Sequence, residues 1–367
     1  MNPEFNRVVI VGVGLIGGSL GMALCRRGLA REVVGTGSEP ENLRLALELG
    51  AIHRFTVSTA GAVAGADLVI IATPVSATIP VLLELLPHLS GGAVVTDVGS
   101  TKGEVVREAE RAVRPGISFV GGHPMSGSEK TGVRGADPYL FENAFYIITP
   151  TPQTPPGALE SVRKLAAGVG ARVLEMNPEA HDLAVSAVSH LPHLTAAALV
   201  NTAARAPGSE DALPLAAGGF RDTTRIASGS PSMWRDIFIS NRKQVLKMLQ
   251  CFKEELALFE DMLLAGDGKA IQARLEYARQ VRSGIPAKTR GYLPALHELV
   301  LTVPDRPGAI NGFTRHLLEA GINISDIEIL RVREGEGGTI RVGLATEEEQ
   351  EEAVQVLREH GYTVYKR

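Results

Sequence analysis

The sequence is poor in the residues that mark disulfide-rich, metal-binding and nucleic-acid-binding proteins. Its 367 residues include two cysteines, Cys25 and Cys251, whose separation fits neither a metal site nor a disulfide framework, so we expect a reducing compartment. The net charge is -4 and basic residues form no run, which argues against a nucleic-acid partner because phosphate neutralisation needs clustered Lys and Arg. No apolar run approaches about 18 residues, and no signal-peptide core is present near Met1. We therefore expect a cytoplasmic protein without a membrane span.

The overall amino-acid composition is typical of a soluble globular protein. Hydrophobic residues make up 44% and charged residues 21% of the chain, and its length predicts two or three domains. Near the start, the apolar β-branched residues 8–11 lead into Gly12-Val13-Gly14-Leu15-Ile16-Gly17, and a helix-compatible segment, residues 19–25, follows at once. Strand, G-x-G-x-x-G and helix in this order predict a dinucleotide-binding turn, at which the helix N-terminus faces the phosphates.

The next strand tip bears on the choice of nucleotide. Residues 32–35 are predicted to be the second strand, and the acidic residue that usually holds the adenosine ribose is expected at its end, where this chain has Gly37. Without that carboxylate the repulsion of a 2'-phosphate is lost, and Ser38 or Arg44 can tolerate one. NAD is the first expectation, and NADP remains an alternative.

Three further strands are predicted, and their tips should meet in one crevice. Residues 67–72, 93–96 and 117–120 are strand-like and alternate with helical segments, as in a parallel α/β sheet. Ligands bind outside the carboxyl ends of such strands. The tips therefore bring candidate residues to the cofactor, namely Thr73, Pro74, Asp97, Ser100 and His123.

The remaining chain predicts two more domains. The Rossmann-like domain is predicted to comprise residues 1–176, and an all-helical domain is predicted over residues 177–290. Within them, residues 180–204 are too apolar all round for a surface helix, which indicates a buried or subunit-crossing helix and a homodimer. Residues 296–367 show a β-α-β-β-α-β order, which predicts a ferredoxin-like sheet.

Two residues at the strand tips are candidates for the chemistry. His123, fixed by Pro124 and close to a predicted nicotinamide, suits a general base that removes a hydroxyl proton as hydride leaves the same carbon. The alternative is a turn histidine bonded only to backbone. Ser100 can orient that imidazole or bond the same hydroxyl; the alternative is that it caps the helix that begins near Lys102.

The helical domain contributes further candidates. His190 and His193 follow Ser189 around a proline, and they bind each other, the backbone or a ligand; a metal site is disfavoured because no third ligand clusters with them. Arg221 and Arg225 are four residues apart, so they share one face of a predicted helix. Their guanidinium groups suit a carboxylate ligand, although an ion pair with Asp222 or Asp236 is the alternative. Trp234, the only tryptophan, suits packing equally well.

Several stretches taken together resemble prephenate dehydrogenases, the family that also includes arogenate and cyclohexadienyl dehydrogenases. They are GGHPMSGSE (121–129), SHLPH (189–193), GFRDTTRIA (219–227) and MWRD (233–236). The tail, with DRPGAI (305–310) and GINI (321–324), looks like an ACT domain, a regulatory amino-acid-binding module. The resemblance covers nearly the whole chain. It implies a Rossmann-like domain, an all-helical dimerisation domain and a C-terminal ACT domain.

The resemblance also implies a reaction. Prephenate would be oxidatively decarboxylated to 4-hydroxyphenylpyruvate in tyrosine biosynthesis: hydride leaves ring carbon C4, CO2 leaves C1, and the ring becomes aromatic, so no metal is needed. By similarity, His123 would be the base on the 4-hydroxyl with Ser100 as its partner, and Arg225 would clamp the ring carboxylate. His193 would face the pyruvyl side chain. Residues implied to line, shape or gate the same pocket are Ser189, His190, Glu129, Asp182 and Trp234.

Three points stay open from the sequence. Prephenate and arogenate differ only in a keto or amino group, and His193 favours the keto acid. Among enzymes, the nearest alternative is a β-hydroxyacid dehydrogenase, but those enzymes usually rely on a lysine in the helical domain, and this chain has none in a matching context. The alternative from another class is a sensor protein that binds the nucleotide without catalysing a reaction. Tyrosine is expected to bind and inhibit at the ACT module, where the candidate residues are Asp305, Pro307, Gly308 and Asn323.

Overall fold

The computed structural model describes residues 3–127, 131–285, 296–304, 306–330 and 338–366. The chain divides into two compact units, Met1–Arg290 and Gly291–Arg367. Glu129 and Asp305, both predicted site residues, lie outside the described residues.

The first unit begins with an eight-stranded sheet flanked by helices. The strands are β1 (Phe5–Val11), β2 (Ala30–Thr36), β3 (Arg54–Phe55), β4 (Leu68–Ile71), β5 (Val94–Asp97), β6 (Ser118–Pro124), β7 (Phe145–Thr149) and β8 (Arg172–Glu175). Between them lie α1 (Leu15–Arg26), α2 (Pro40–Glu48), α3 (Thr59–Val63), α4 (Val75–Leu85), α5 (Gly103–Ala112) and α6 (Pro156–Gly168), with 3₁₀ turns at Leu86–His88 and Val133–Gly135. The spatial order is β3-β2-β1-β4-β5-β6-β7-β8, so the predicted Rossmann-like architecture is confirmed.

Both faces of this sheet are buried, because alternate residues of each strand point to opposite sides. In β1, Val8 and Ile10 pack with Leu20 and Leu24 of α1 on one face. Val9 and its neighbours on the same side of the sheet pack into a separate cluster on the other face. This explains why the strands read as continuous apolar runs rather than as alternating ones.

The predicted end of β6 is wrong. The strand was expected to stop at Val120, but it continues to Pro124 by changing partners: it pairs in parallel with β5 up to Val120 and antiparallel with β7 from Gly121. The strand β7, with which it pairs there, was not predicted from the sequence. The partner change needs glycine, because a Cβ at Gly122 would lie 2.8 Å from the Asp97 carbonyl oxygen. His123 therefore sits within a strand rather than on a loop.

The rest of the first unit is helical. Its helices are α7 (Pro178–Val185), α8 (Leu191–Arg205), α9 (Ser209–Ala212), α10 (Gly218–Thr224), α11 (Pro231–Ser240), α12 (Arg242–Leu264) and α13 (Gly268–Ser283). A π-helical turn, Ser186–His190, joins α7 to α8, and 3₁₀ turns cover Leu213–Leu215 and Arg225–Ser228. Asn241 separates α11 from α12, and its buried side chain bonds to the Asp182 carbonyl oxygen and to His190.

The continuous helix Pro178–Arg205 is long and apolar enough to span a membrane by length and composition alone, with a mean hydropathy of 1.5 over its most apolar window. From the sequence, residues 180–204 were predicted to form a buried or subunit-crossing helix, and no membrane span was expected because polar residues interrupt every apolar run. Among these, His181, Asp182, His190 and His193 are buried within the folded chain. In the most apolar window, 28% is buried within the folded chain.

The second unit is a four-stranded antiparallel sheet with two helices. Its elements are β9 (His297–Val303), α14 (Ala309–Glu319), β10 (Asp326–Leu330), β11 (Gly338–Leu344), α15 (Glu347–Glu359) and β12 (Thr363–Lys366). The strand order β10-β11-β9-β12 confirms the predicted ferredoxin-like arrangement. Its core includes Leu301 and Val342 from the sheet, with Phe313 and Leu357 from the helices.

The partner change in β6 generates a stability prediction. In Gly122→Ala the new methyl group meets the Asp97 carbonyl oxygen at 2.8 Å and the Tyr146 ring at 2.9 Å, so we expect a loss of about 1–3 kcal/mol in the free energy of unfolding. Gly127→Ala is the matched control, since its methyl group meets nothing within 4 Å and should change stability by less than about 0.5 kcal/mol. Urea denaturation measures both; equal stability of the two variants contradicts the prediction.

Candidate functional site

The glycine-rich turn has the shape that a dinucleotide needs. Gly12 has φ +93°, and a Cβ there would lie 2.7 Å from the Ala72 carbonyl oxygen. A Cβ at Gly17 would overlap the Gly12 carbonyl oxygen, so this glycine lets α1 pack on the turn. Gly14 has nothing within 4 Å of its Cβ position and caps α1 without any side-chain hydrogen bond. The open space in front of the helix N-terminus fits a diphosphate.

The tip of β4 adds a polar group beside this turn. The Thr73 hydroxyl is buried and has no hydrogen-bond partner among the described residues, and the Thr73 methyl group lies 3.2 Å from the Gly12 Cβ position. A buried hydroxyl without a partner is costly, which favours a ligand that bonds to it. Leu15 and Ile16 begin α1 and are half-buried, and Pro74 is exposed where α4 begins. These residues fit the predicted nicotinamide nucleotide.

The tip of β2 leaves the adenosine ribose without a carboxylate at position 37. Gly37 has nothing within 4 Å of its Cβ position, and Ser38 beside it is exposed. Arg44, which could accept a 2'-phosphate, already forms an ion pair with Glu41. This ion pair is exposed, so its contribution to stability is small, but the Glu41 carboxylate partly neutralises the guanidinium charge that would attract a phosphate.

Asp97 has a structural role that the sequence did not predict. Its carboxylate is fully buried; it pairs with Lys102 and accepts hydrogen bonds from the backbone nitrogens of Gly99 at 2.9 Å and Gly122 at 3.3 Å. With these donors in place the side chain ties the end of β5 to β6, and a contact of Asp97 with the cofactor stays a prediction. The pKa of Lys102 is lowered by burial and raised less by Asp97.

Ser100 is half-buried near this cluster, and among the residues that the structure describes it neither bonds to His123 nor caps α5. The hydrogen bonds of the His123 ring within the described part of the chain include none with Ser100. The helix that Ser100 was expected to cap, α5, is instead capped from another helix: Asp182 accepts the backbone N–H groups of Lys102 at 2.7 Å and Gly103 at 2.8 Å. A contact between Ser100 and substrate stays a prediction.

His123 is bonded to a second histidine that the sequence analysis did not identify. Its Nδ1 lies 2.8 Å from Nε2 of His181, with the rings edge to face at 71°. Nδ1 of His181 lies 2.9 Å from the carboxylate of Asp182. His181 and Asp182 stand on α7, so the helical part of the unit supports a side chain of the sheet. Asp182 is a buried structural partner of His181, and its implied role in shaping or gating the pocket stays a prediction.

The surroundings of His123 keep its imidazole neutral. Burial lowers the pKa of His123 well below its ordinary value, and the neighbouring His181, Lys102 and His190 lower it further. His123 as a whole is 9% exposed, and Nδ1 of its ring is bonded to His181. Nε2 is therefore the nitrogen left for a ligand.

A second set of polar side chains lies in the helical part, next to Asp182. Asn241 donates to the Asp182 carbonyl oxygen at 2.8 Å and lies 3.2 Å from Nδ1 of His190. Burial lowers the pKa of His190 to about 4. His193 stacks on Trp234 with ring centroids 3.6 Å apart, and its buried Nδ1 has no partner within the described ranges. Trp234 thus packs against His193, in line with the packing interpretation of this residue, while Nδ1 of His193 remains available for a ligand.

The π-helical turn accommodates the proline that lies between His190 and His193. Pro192 lacks the N–H that an α-helix would donate to Val188, and the wider turn Ser186–His190 absorbs that gap. Ser189 lies half-buried in the same turn. No local sequence signal predicts a π turn beyond the proline itself.

Arg225 begins a turn that packs against α8, but it is not on the predicted α-helical face. The helix α10 ends at Thr224, and Arg225 opens a 3₁₀ turn that packs against α8, so the four-residue spacing from Arg221 no longer aligns the two side chains. Both arginines are exposed. Just after this turn, a Cβ at Gly229 would lie 2.9 Å from the indole nitrogen of Trp234 and 3.2 Å from His193.

The second unit has a cavity of its own, of about 430 Å³. It lies at the N-terminus of α14 and is lined by Pro304, Arg306, Pro307, Gly308, Ala309, Gly312 and Tyr362. Two of the predicted regulatory residues, Pro307 and Gly308, thus line it. Asn323 is exposed and is not part of the lining.

Comparisons with known proteins agree with this arrangement. Family models match three consecutive parts of the chain: the nucleotide-binding domain of prephenate dehydrogenase at residues 20–175, the dimerization domain of prephenate dehydrogenase at 177–276 and the ACT domain at 297–361. A prephenate dehydrogenase of Bacillus subtilis is 39% identical over 97% of this chain and 97% of its own.

Two solved structures are similar to the larger part of the chain. One is a prephenate dehydrogenase from A. aeolicus in complex with hydroxyphenyl propionate and NAD+, with a TM-score of 0.73 and 36% identity, covering 77% of this chain and 98% of that one. The other is an arogenate dehydrogenase from Synechocystis, with a TM-score of 0.68 and 31% identity, covering 76% of this chain and 99% of that one.

The environment of His123 generates a pH prediction. Because the native pKa of this imidazole is depressed, it should stay neutral as the pH falls below about 6.5, the ordinary value, and gain its proton only in more acidic solution. The ionisable groups around it are His181, Asp182, Lys102, Asp97 and His190. NMR titration of nitrogen-15-labelled histidine in the folded protein measures this, with urea-unfolded protein as the control. Titration of His123 at the ordinary value in the folded protein contradicts the prediction.

Proposed function

This chain belongs to the prephenate dehydrogenase family, and on that basis we propose that it oxidises and decarboxylates prephenate to 4-hydroxyphenylpyruvate with NAD as the hydride acceptor. The observation that carries the proposal within the molecule is His123: a buried, neutral imidazole at the same edge of the sheet as the nucleotide turn, with Nδ1 occupied and Nε2 left for substrate.

The reaction needs a base at the ring hydroxyl. Nε2 of His123 accepts the proton of the 4-hydroxyl, and bound NAD supplies the chemistry of hydride acceptance from C4 of the ring. The C1 carboxylate then leaves as CO2, and the electron pair of the broken bond makes the ring aromatic. The proton on His123 returns to the phenolate oxygen. Because aromatisation drives the loss of CO2, the electron pair needs no metal to hold it.

The remaining contacts to substrate are assigned to residues of the helical part of the first unit. Arg225 holds the ring carboxylate, since its 3₁₀ turn packs on α8, the helix that carries His193. His193 bonds the keto group of the side chain, because its buried Nδ1 has no partner among the residues described and desolvation lowers its pKa. Ser189 and Trp234 border the same space, and Glu129 is retained as a pocket residue on sequence grounds.

We further propose that the protein acts as a homodimer in the cytoplasm. The family's dimerization domain matches the helical part of the chain, whose helices expose large apolar side chains in a single copy. They include Ile239, Leu246, Leu256, Leu258, Leu263 and Leu264. A second copy covering them would remove an apolar surface that monomers rarely expose. Cys25 and Cys251 are both free thiols, which fits a reducing compartment.

Tyrosine, the product of the pathway, is proposed as the ligand of the second unit. The cavity of about 430 Å³ at the start of α14 has room for one amino acid, and the helix N-terminus there, with Gly308 as its cap, suits a carboxylate. Arg306 in the lining adds a positive charge.

One assay tests the proposed reaction. Cofactor reduction is followed with prephenate and with arogenate, each with NAD and with NADP; we expect the fastest turnover with prephenate and NAD. Faster turnover of arogenate assigns the chain to the arogenate branch of its family, as in the Synechocystis relative. No reduction of either nucleotide by either acid overturns the proposal.

Variants in the same assay test the assigned residues. His123→Asn removes the base and should lower kcat by about 10²–10⁴-fold while NAD still binds. Arg225→Gln should mainly raise KM for prephenate, because the carboxylate contact exists in the ground state. Arg221→Gln, in an exposed arginine on the preceding helix, is the matched control. A larger effect in Arg221→Gln than in Arg225→Gln would reverse their roles.

Calorimetry tests the regulatory proposal. Tyrosine should bind the full-length protein and lower its turnover, and Gly312→Val should abolish both effects, because a side chain there meets the Tyr362 hydroxyl at 2.9 Å within the cavity. Asn323→Ala, outside the lining, should bind normally. Absence of tyrosine binding by the unmodified protein leaves the second unit as an association module.

A further inference from the structure

His181 is fully buried between the general base and a carboxylate, and no sequence motif pointed to it. Nε2 of His181 lies 2.8 Å from Nδ1 of His123, and its own Nδ1 lies 2.9 Å from Oδ1 of Asp182. The three side chains form a continuous hydrogen-bonded series from α7 to β6. Each contact is short enough to require a hydrogen atom between the two polar atoms.

The positions of those hydrogen atoms follow from Asp182. The carboxylate accepts the backbone N–H groups of Lys102 and Gly103 at the N-terminus of α5, where a negative charge is stabilised. An ionised carboxylate can only accept, so the hydrogen in its contact with His181 belongs to Nδ1 of that ring. With a single ring hydrogen, placed on Nδ1, the His181 ring leaves Nε2 as an acceptor.

The same reasoning extends one ring further. Since Nε2 of His181 accepts, the hydrogen in the contact with His123 belongs to Nδ1 of His123. A neutral His123 then has a free lone pair on Nε2. Without His181, the ring would be free to take the other tautomer, in which Nε2 carries the hydrogen and cannot accept a proton.

We propose that His181 is a positioning residue for catalysis: supported by Asp182, it holds His123 in the tautomer whose Nε2 accepts the substrate proton. This inference rests on the proposed function of His123 as the base. When Nε2 takes the proton, the imidazolium keeps its Nδ1–H bond to His181, and the Asp182 carboxylate lies on the far side of that ring to balance the charge. Lys102, paired with Asp97, and His190 complete the ionisable groups around the series.

Two variants separate positioning from packing. His181→Phe keeps an aromatic ring of similar size but has no acceptor, whereas the amide oxygen of His181→Gln can take the place of Nε2. We expect kcat of His181→Phe to fall by about 10²-fold or more, with the KM for prephenate and the NAD dissociation constant within about 2–3-fold of the unmodified enzyme. His181→Gln should recover kcat to within about 10-fold. Equal losses in both variants, with a matching loss of thermal stability, would mean that His181 is a packing residue only.

The tautomer itself is the second readout, and it needs no turnover. Nitrogen-15 spectra of histidine-labelled enzyme distinguish Nδ1–H from Nε2–H rings, and comparison with His123→Asn assigns the signals of His123. We expect Nδ1–H in the unmodified enzyme and a shift towards Nε2–H in His181→Phe. If His181→Phe does not fold, the unmodified spectrum decides alone: an Nε2–H signal for His123 overturns the inference.

The two readouts also separate this inference from the proposed function. An unmodified enzyme that fails to oxidise prephenate but shows the Nδ1–H tautomer of His123 contradicts the function and supports the tautomer assignment. An active enzyme whose His123 is Nε2–H contradicts the role of His181 and leaves the reaction assigned.

Discussion

The carboxylate of Asp182 is the contact on which the candidate site depends. It sits on α7, is almost fully buried, and accepts three hydrogens: two from the backbone at the start of α5 and one from His181. A buried carboxylate without such donors would be strongly destabilising, whereas hydrogen bonds to a charged group contribute about 1.5–3 kcal/mol each. One side chain thus joins a helix of the helical part to the sheet and orients the histidine that supports His123.

A second buried charge organises the other side of the same cluster. Lys102 and Asp97 are both completely buried and paired, and Asp97 also holds the backbone of Gly99 and Gly122. A buried ion pair is weak grounds for stability, because desolvation of two charges offsets their attraction. Its effect here is geometric: it holds the ends of β5 and β6 together, and the residue that follows Gly122 in β6 is His123. Activity, as proposed, therefore depends on groups that do not touch the substrate.

The accuracy of the sequence-based predictions depended on how local each determinant is. The nucleotide turn was predictable because its three glycines, the preceding strand and the following helix lie within one short segment. The partner of His123 was not: His181 is 58 residues away, in an Ala-His-Asp stretch that reads only as the start of a helix. Ser100 was favoured as that partner because its strand tip was expected to face the same crevice. Asp97 was assigned to the cofactor for the same reason, and its buried ion pair could not be inferred from position alone.

The sequence by itself determined the architecture, since hydrophobic periodicity, glycine placement and helix starts are local properties that dictate elements and their order. It also determined the family, through residue sets that occur in widely separated stretches. Only the tertiary structure decided which polar groups bond to one another: that β6 continues to His123, that α5 is capped by Asp182, and that a π turn carries His190 past Pro192. The physical reason is that a hydrogen bond is a short-range contact of about 3 Å, and spacing along the chain does not report which distant groups the fold brings within that distance.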